Sequence, residues 1–167
     1  MRHSRTRSIV VSGEAVKVTC ADAPLGAGDH EQLAVAAYLI GADVFGLSAT
    51  RDLGIGQLPR RIGRYLDAIY PMVYPSHYGS GEYGLEDPNA SPGATVEWSL
   101  ADFRQELKKG KAKAQLIPWL QDFSYGRDYG LDEVKAQIEA ARLMGARGYL
   151  LWNPLGIYTP GALAPSS

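Results

Sequence analysis

The sequence predicts an α/β fold of the (β/α) TIM-barrel type, comprising about four β/α units, or half a barrel. Three observations predict it. Short apolar runs of strand type recur near residues 42–47, 67–73, 114–120 and 147–152, separated by helical patterns. Such alternation specifies a parallel sheet with right-handed crossovers. Each of the last three runs ends in aromatic and polar residues: Tyr74, Ser76, His77 and Tyr78, then Trp119, Gln121 and Asp122, then Trp152 and Asn153. A parallel barrel builds its site from such C-terminal strand ends. Finally, an eight-stranded barrel typically needs about 250 residues, and this chain has 167.

Residues 1–41 form an unassigned N-terminal segment. Within it, residues 9–11 and 15–19 suit short strands and 21–29 read as loop. Residues 31–40, EQLAVAAYLI, suit a helix running toward the first strand, although a continuous apolar run does not choose between helix and strand. The barrel half covers 42–163. Residues 51–57 are a glycine-bearing loop, and Pro59 stands where a first helical turn tolerates it. After the strand at 67–73, a loop rich in Gly, Pro, Ser and Asn runs to about residue 96. Ser99 with Asp102 reads as a capping box opening a helix that Gly110 ends. The strand at 114–120 leads to a loop at 124–130. Asp132 then caps a helix with Val134, Ile138 and Ala141 on one face. Residues 164–167 are a tail. An isolated half-barrel leaves two open strand edges and an uncovered inner face, a route to self-association.

Composition narrows the function. Apolar residues make up 46% and charged residues 21%, ordinary for a globular protein. The formal net charge of −1 gives no field toward nucleic acid or an anionic membrane. No apolar window reaches the length of a membrane span. Arg2, Arg5 and Arg7 read as a solvated tail, and KKGKAK at 108–113 as a solvated helix end. The single Cys20 and the scattered His3, His30 and His77 show no metal-ligand spacing, so no metal is expected. No cofactor is expected either: there is no GxxxxGK[ST], and no GxGxxG opens a helix. A GxSxG elbow is absent too. Gly13, Glu14 and Lys17 interrupt the early apolar run, which does not read as a signal peptide.

The strand-end residues suit a sugar, so the expected partner is carbohydrate. Glycosidases of most types use two carboxyl groups, about 5–5.5 Å apart for retention and about 6.5–9.5 Å for inversion. Asp122, beside Trp119 and Gln121, is the catalytic candidate; the alternative is a capping or arginine-paired Asp. His77 can serve as acid or base near neutral pH, or donate to a hydroxyl. Asp43 could point inward from the first strand and bind substrate, or be a structural hydrogen-bonding group. Glu82, Glu86 and Asp87 lie on the long loop, over the site or solvated. Trp119 and Trp152 offer apolar ring faces for pyranose C–H faces, or pack in the core. Tyr74 and Ser76 share a strand face if extension holds, and Tyr78 follows them. Gln121 and Asn153 can each donate to and accept from sugar hydroxyls.

Several motifs recur together: ADVFG (42–46), GIGQ (54–57), DAIYPMVYPSHYG (67–79), PWLQDF (118–123), Gln137 with Ile138, LLWNP (150–154) and Tyr158. In order and spacing, residues 43–163 resemble a bacterial glycosyl hydrolase domain family related in fold to the α-amylase-like barrel enzymes. One departure is Ile117, where the family usually has Arg. The resemblance implies hydrolysis of O-glycosidic bonds in a poly- or oligosaccharide, at an extracytoplasmic or cell-surface location. It implies that these segments are the last four barrel strands. The family's earlier strand, rich in Asp, Tyr, Arg and Phe with acidic nucleophile candidates, has no counterpart in residues 1–41. The expectation is therefore an incomplete hydrolase domain. The alternatives are a non-catalytic carbohydrate-binding barrel and an inactive gene fragment.

Overall fold

A computed structural model describes residues 39–163 and, as backbone, residues 7–11 and 14–18. The chain divides into two compact units, Met1–Tyr38 and Leu39–Ser167. In the first, β1 (Arg7–Val11) and β2 (Glu14–Val18) pair antiparallel. Both fall where the sequence suggests strands. The loop expected at 21–29 and all but the last two residues of the helix expected at 31–40 lie outside the described residues. Leu39 and Ile40 are irregular.

The second unit is an α/β structure on a parallel sheet. Its strands are β3 (Gly41–Phe45), β4 (Ala68–Val73), β5 (Gln115–Leu116), β6 (Trp119–Gln121) and β7 (Leu150–Trp152). The order is β3-β4-β6-β7, with β5 also on β4, and every pair is parallel. Among the described residues the sheet is open, with β3 and β7 at its edges.

The single strand expected at 114–120 is β5 and β6, separated by Ile117 and Pro118. Its register against β4 keeps the same offset on both sides of the gap. The break is a missing donor rather than a slipped strand: Pro71 of β4 has no N–H to give the Ile117 carbonyl, and Pro118 has none to give on the β7 side. The Ile117 N–H still reaches the Ile69 carbonyl at 3.0 Å, and the Pro118 carbonyl accepts from the Leu150 N–H at 2.8 Å.

Three helices join the strands: α1 (Pro59–Ile62), α2 (Pro92–Gly110) and α3 (Leu131–Leu143). One sheet face is the core. Val44, Ile69, Val73, Leu116 and Leu120 pack there with Val96, Leu100, Phe103 and Leu107 of α2 and with Val134, Ile138 and Ala141 of α3. These helix positions recur at spacings of three and four, which puts them on one stripe. Two expected caps are corrected. α2 starts at Pro92, so Ser99 and Asp102 lie inside it. Ser99 is buried against the Tyr78 hydroxyl at 3.0 Å, and Asp102 accepts from the Thr50 hydroxyl at 2.9 Å. α3 is capped at Gly130 rather than Asp132. Glu133 reaches back to accept the Gly130 N–H at 3.0 Å, and Asp132 stands in the first turn. Gly110 does end α2, and a Cβ there would collide with the Arg60 carbonyl.

Side chains alternate across the sheet, so the other face carries Asp43, Phe45, Tyr70, Met72, Trp119, Gln121, Leu150 and Trp152. The register aligns Phe45, Met72, Trp119 and Leu150 in one row. Phe45 is 52% exposed and Trp152 42%, in contrast to the helix-covered face.

Candidate functional site

The strand ends direct three groups of residues to one region. The first spans β3, β6 and β7. Asp43 is exposed, and the Trp119 indole N–H donates to its Oδ1 at 2.7 Å, reaching across β4. Its Oδ2 accepts no hydrogen bond among the described residues. Trp119 and Trp152 meet edge to face, ring centroids 5.9 Å apart. This pair therefore presents aromatic surface next to an open carboxylate oxygen.

The second group centres on Gln121, which is fully buried. Its Oε1 accepts from the Ser76 N–H at 3.1 Å and the Ser76 hydroxyl at 2.8 Å, while its amide nitrogen donates to the Phe123 carbonyl at 2.9 Å. Its backbone is held from α3. The Gln137 amide accepts the Gln121 N–H at 2.9 Å and donates to the Gln121 carbonyl at 2.8 Å. Gln121 and Ser76 thus splice the turn after β4 to the end of β6. Tyr74 packs its ring against His77 at 5.4 Å and Phe123 at 5.6 Å. Burial, with the Asp43 charge adding to it, pushes the Tyr74 phenol up. His77 is exposed, and neither ring nitrogen makes a hydrogen bond among the described residues.

The third group is Asp122 and Asn153. Asp122 is only 3% exposed. Its Oδ2 accepts from the Thr159 N–H at 2.9 Å and its Oδ1 from the Thr159 hydroxyl at 2.5 Å. Its N–H donates to the Trp152 carbonyl at 2.9 Å, and its carbonyl accepts from the Asn153 side-chain amide. The Asn153 Oδ1 accepts the Leu155 N–H at 2.9 Å. Both residues hold the segment after β7 against the strand ends.

Tyr78 is not brought to this region. It is buried in the helix-side core, stacked on Tyr83 with centroids 5.8 Å apart and bonded to Ser99 of α2. The tight turn at Pro75–His77 sends the chain under the sheet, which reverses the direction expected of Tyr78. Among the loop acids, Glu82 pairs with Arg51 at 2.6 Å and Asp87 accepts the Asn89 N–H at 2.9 Å; Glu86 is exposed. Among the described residues, no group of three His, Cys, Asp or Glu side chains could hold a metal ion, and no helix is long and apolar enough to cross a membrane.

Four residues escaped the sequence reading of the site: Phe123, Tyr125, Gln137 and Thr159. Gln137 carried a usable signal, because it lies on the apolar stripe of α3 where a polar group needs a partner. The others lie on loops, whose paths the pattern of apolar residues does not define.

An open parallel sheet with aromatic, amide and carboxylate groups gathered at its C-terminal strand ends defines an α/β protein with a polar strand-end site. The chain belongs to the family described as "Putative glycosyl hydrolase domain", whose model matches residues 26–158. Neither the curated proteins nor the solved structures compared with it give a match.

Proposed function

We propose that residues 42–163 are the C-terminal half of a glycoside hydrolase barrel, supplying a carbohydrate-binding strand-end face to a site completed by strands outside this chain. The observation that carries the reading is the hydrogen bond from Trp119 to Asp43 beside the Trp119–Trp152 pair, on the sheet face opposite α2 and α3. In a closed barrel that face is the interior, and strand-end groups on it meet substrate. Indole faces suit the apolar faces of a pyranose, and a carboxylate beside them suits its hydroxyls.

The roles divide by exposure. Trp119 and Trp152 bind the sugar, and Tyr74, buried against His77 and Phe123, supports the rim. Asp43 meets it without rearrangement. His77 is a proton donor or acceptor at the rim. Asp122 is the proposed acid, with both its carboxylate oxygens held by Thr159. Gln121, Ser76 and Asn153 act on the substrate through the loops they hold. A second reading, binding without turnover, draws support from the engagement of both Asp122 oxygens by Thr159.

Titration with malto-, cello-, laminari- and chito-oligosaccharides, followed by tryptophan fluorescence, tests the carbohydrate reading. Saturable binding is expected, and Trp152→Ala should weaken it about tenfold, the loss of one aromatic stacking contact. Trp98 lies on α2 and should contribute a constant background. Binding unchanged in Trp152→Ala would exclude this face as the sugar platform.

A further inference from the structure

We infer that the loop after β6 carries a second sugar subsite, outside the Trp119–Trp152 pair, formed by Tyr125 and His77 and backed by Phe123 and Tyr74. It rests on the carbohydrate reading above and deepens it: the ligand is an oligosaccharide chain of neutral pyranose units, not a single sugar.

Four aromatic rings converge at this spot from two strand ends. His77 meets Tyr125 edge to face at 6.2 Å, lies 6.2 Å from Phe123, and is flanked by Tyr74. Tyr125 nonetheless remains 65% exposed, so ring surface is open to solvent. The exposure is fixed rather than a frayed loop. The Asn89 side-chain amide donates to the Tyr125 carbonyl at 2.9 Å, the Tyr129 hydroxyl donates to the Asn89 carbonyl at 3.1 Å, and the Tyr129 N–H donates to the Ser124 hydroxyl at 3.0 Å. With its backbone held, Tyr125 loses only side-chain freedom when its ring stacks on a ligand.

The polar complement is also present. The His77 ring nitrogens and the Tyr125 hydroxyl make no hydrogen bonds among the described residues, leaving donors and acceptors at the rim of the open ring. Apolar faces edged by unengaged polar atoms match a pyranose, whose C–H faces are rimmed by hydroxyls. Gln121 sets the two subsites side by side. It is the register partner of Trp152, and its side chain bonds Ser76 and the Phe123 carbonyl.

The test is chain-length dependence. Malto-, cello-, laminari- and chito-oligosaccharides of two to six units are titrated into the full chain and into Tyr125→Ala and Tyr125→Phe, with thermal unfolding as the check on folding. Tyr125→Ala should weaken the hexasaccharide about 3- to 10-fold, leave the disaccharide unchanged and keep the melting temperature. Tyr125→Phe should retain most of the hexasaccharide affinity. Equal losses for both lengths, or none, would overturn the subsite while leaving the inner site standing. Binding of no oligosaccharide of any length would overturn both.

Discussion

At the scale of single residues, buried amides tie the end of β6 to its neighbouring turn and helix. Gln137 occupies the place of a strand neighbour: its side chain takes both hydrogen bonds of the Gln121 peptide, and its nitrogen also donates to the Glu133 carbonyl at 3.2 Å. Leucine of similar size would leave a buried N–H and carbonyl unpaired, each costing about 1–3 kcal/mol. Gln137→Leu is therefore expected to lower stability by about 2–4 kcal/mol in urea unfolding. A change below about 0.5 kcal/mol, the scatter of neutral surface substitutions, would mean that water replaces the lost partner. The types of the site residues were legible in the sequence because strand ends concentrate them. Their orientation was not. Tyr74 and Tyr78 flank the same short turn, yet one faces the site and the other the core. Asp122 stands beside Trp119 in sequence, but its carboxylate is taken by Thr159, a partner no local pattern announces.

At the scale of elements, the parallel order was readable from the repeated strand-and-helix pattern, while the helix starts were misread for a physical reason. Pro92 and Gly93 look like loop punctuation, but proline at a first helical position lacks an N–H that would be unpaired there anyway. At α3 the apolar pattern points to Asp132 as the cap, yet the cap falls on Gly130, because Glu133 supplies the carboxylate from inside the first turn. That carboxyl is held below its usual range, chiefly by the Gly130 N–H it accepts, with the Arg127 guanidinium adding. A depressed folded-state value gives a contribution that is present above the ordinary carboxylate range and lost as pH falls through the folded value. The first turn of α3 should consequently loosen on acidification, seen as faster amide exchange at residues 130–134 once corrected for intrinsic rates. Glu133→Gln should flatten that pH dependence. A protection profile with the same acid limb in Glu133→Gln would assign the effect to another group.

At the scale of the whole molecule, the two sheet faces follow different rules. One is sealed by α2 and α3 around Phe103, Leu100 and Val96. The other presents Phe45, Trp119, Trp152 and Asp43, and among the described residues the sheet ends at β3 and β7. Four parallel units in sequence were legible because each strand carries its own apolar run. What else packs on the sheet was not, since residues 1–41 bear no strand-end motif of the same kind. The consequence for activity follows from chemistry. Hydrolysis needs two carboxyls at a defined separation, and each positioned acid or base contributes about 10²–10⁴-fold. In this chain Asp43 is open but oriented by Trp119, and Asp122 is closed by Thr159. The chain alone is therefore expected to bind oligosaccharide with little or no release of reducing ends, whereas a family member carrying the acidic barrel strand should turn over. A reducing-sugar assay on both, run beside the fluorescence titration, separates binding from chemistry. Robust turnover by this chain, lost in Asp43→Asn or Asp122→Asn without loss of binding, would show that these strand ends are a complete active site and that no further strands are required.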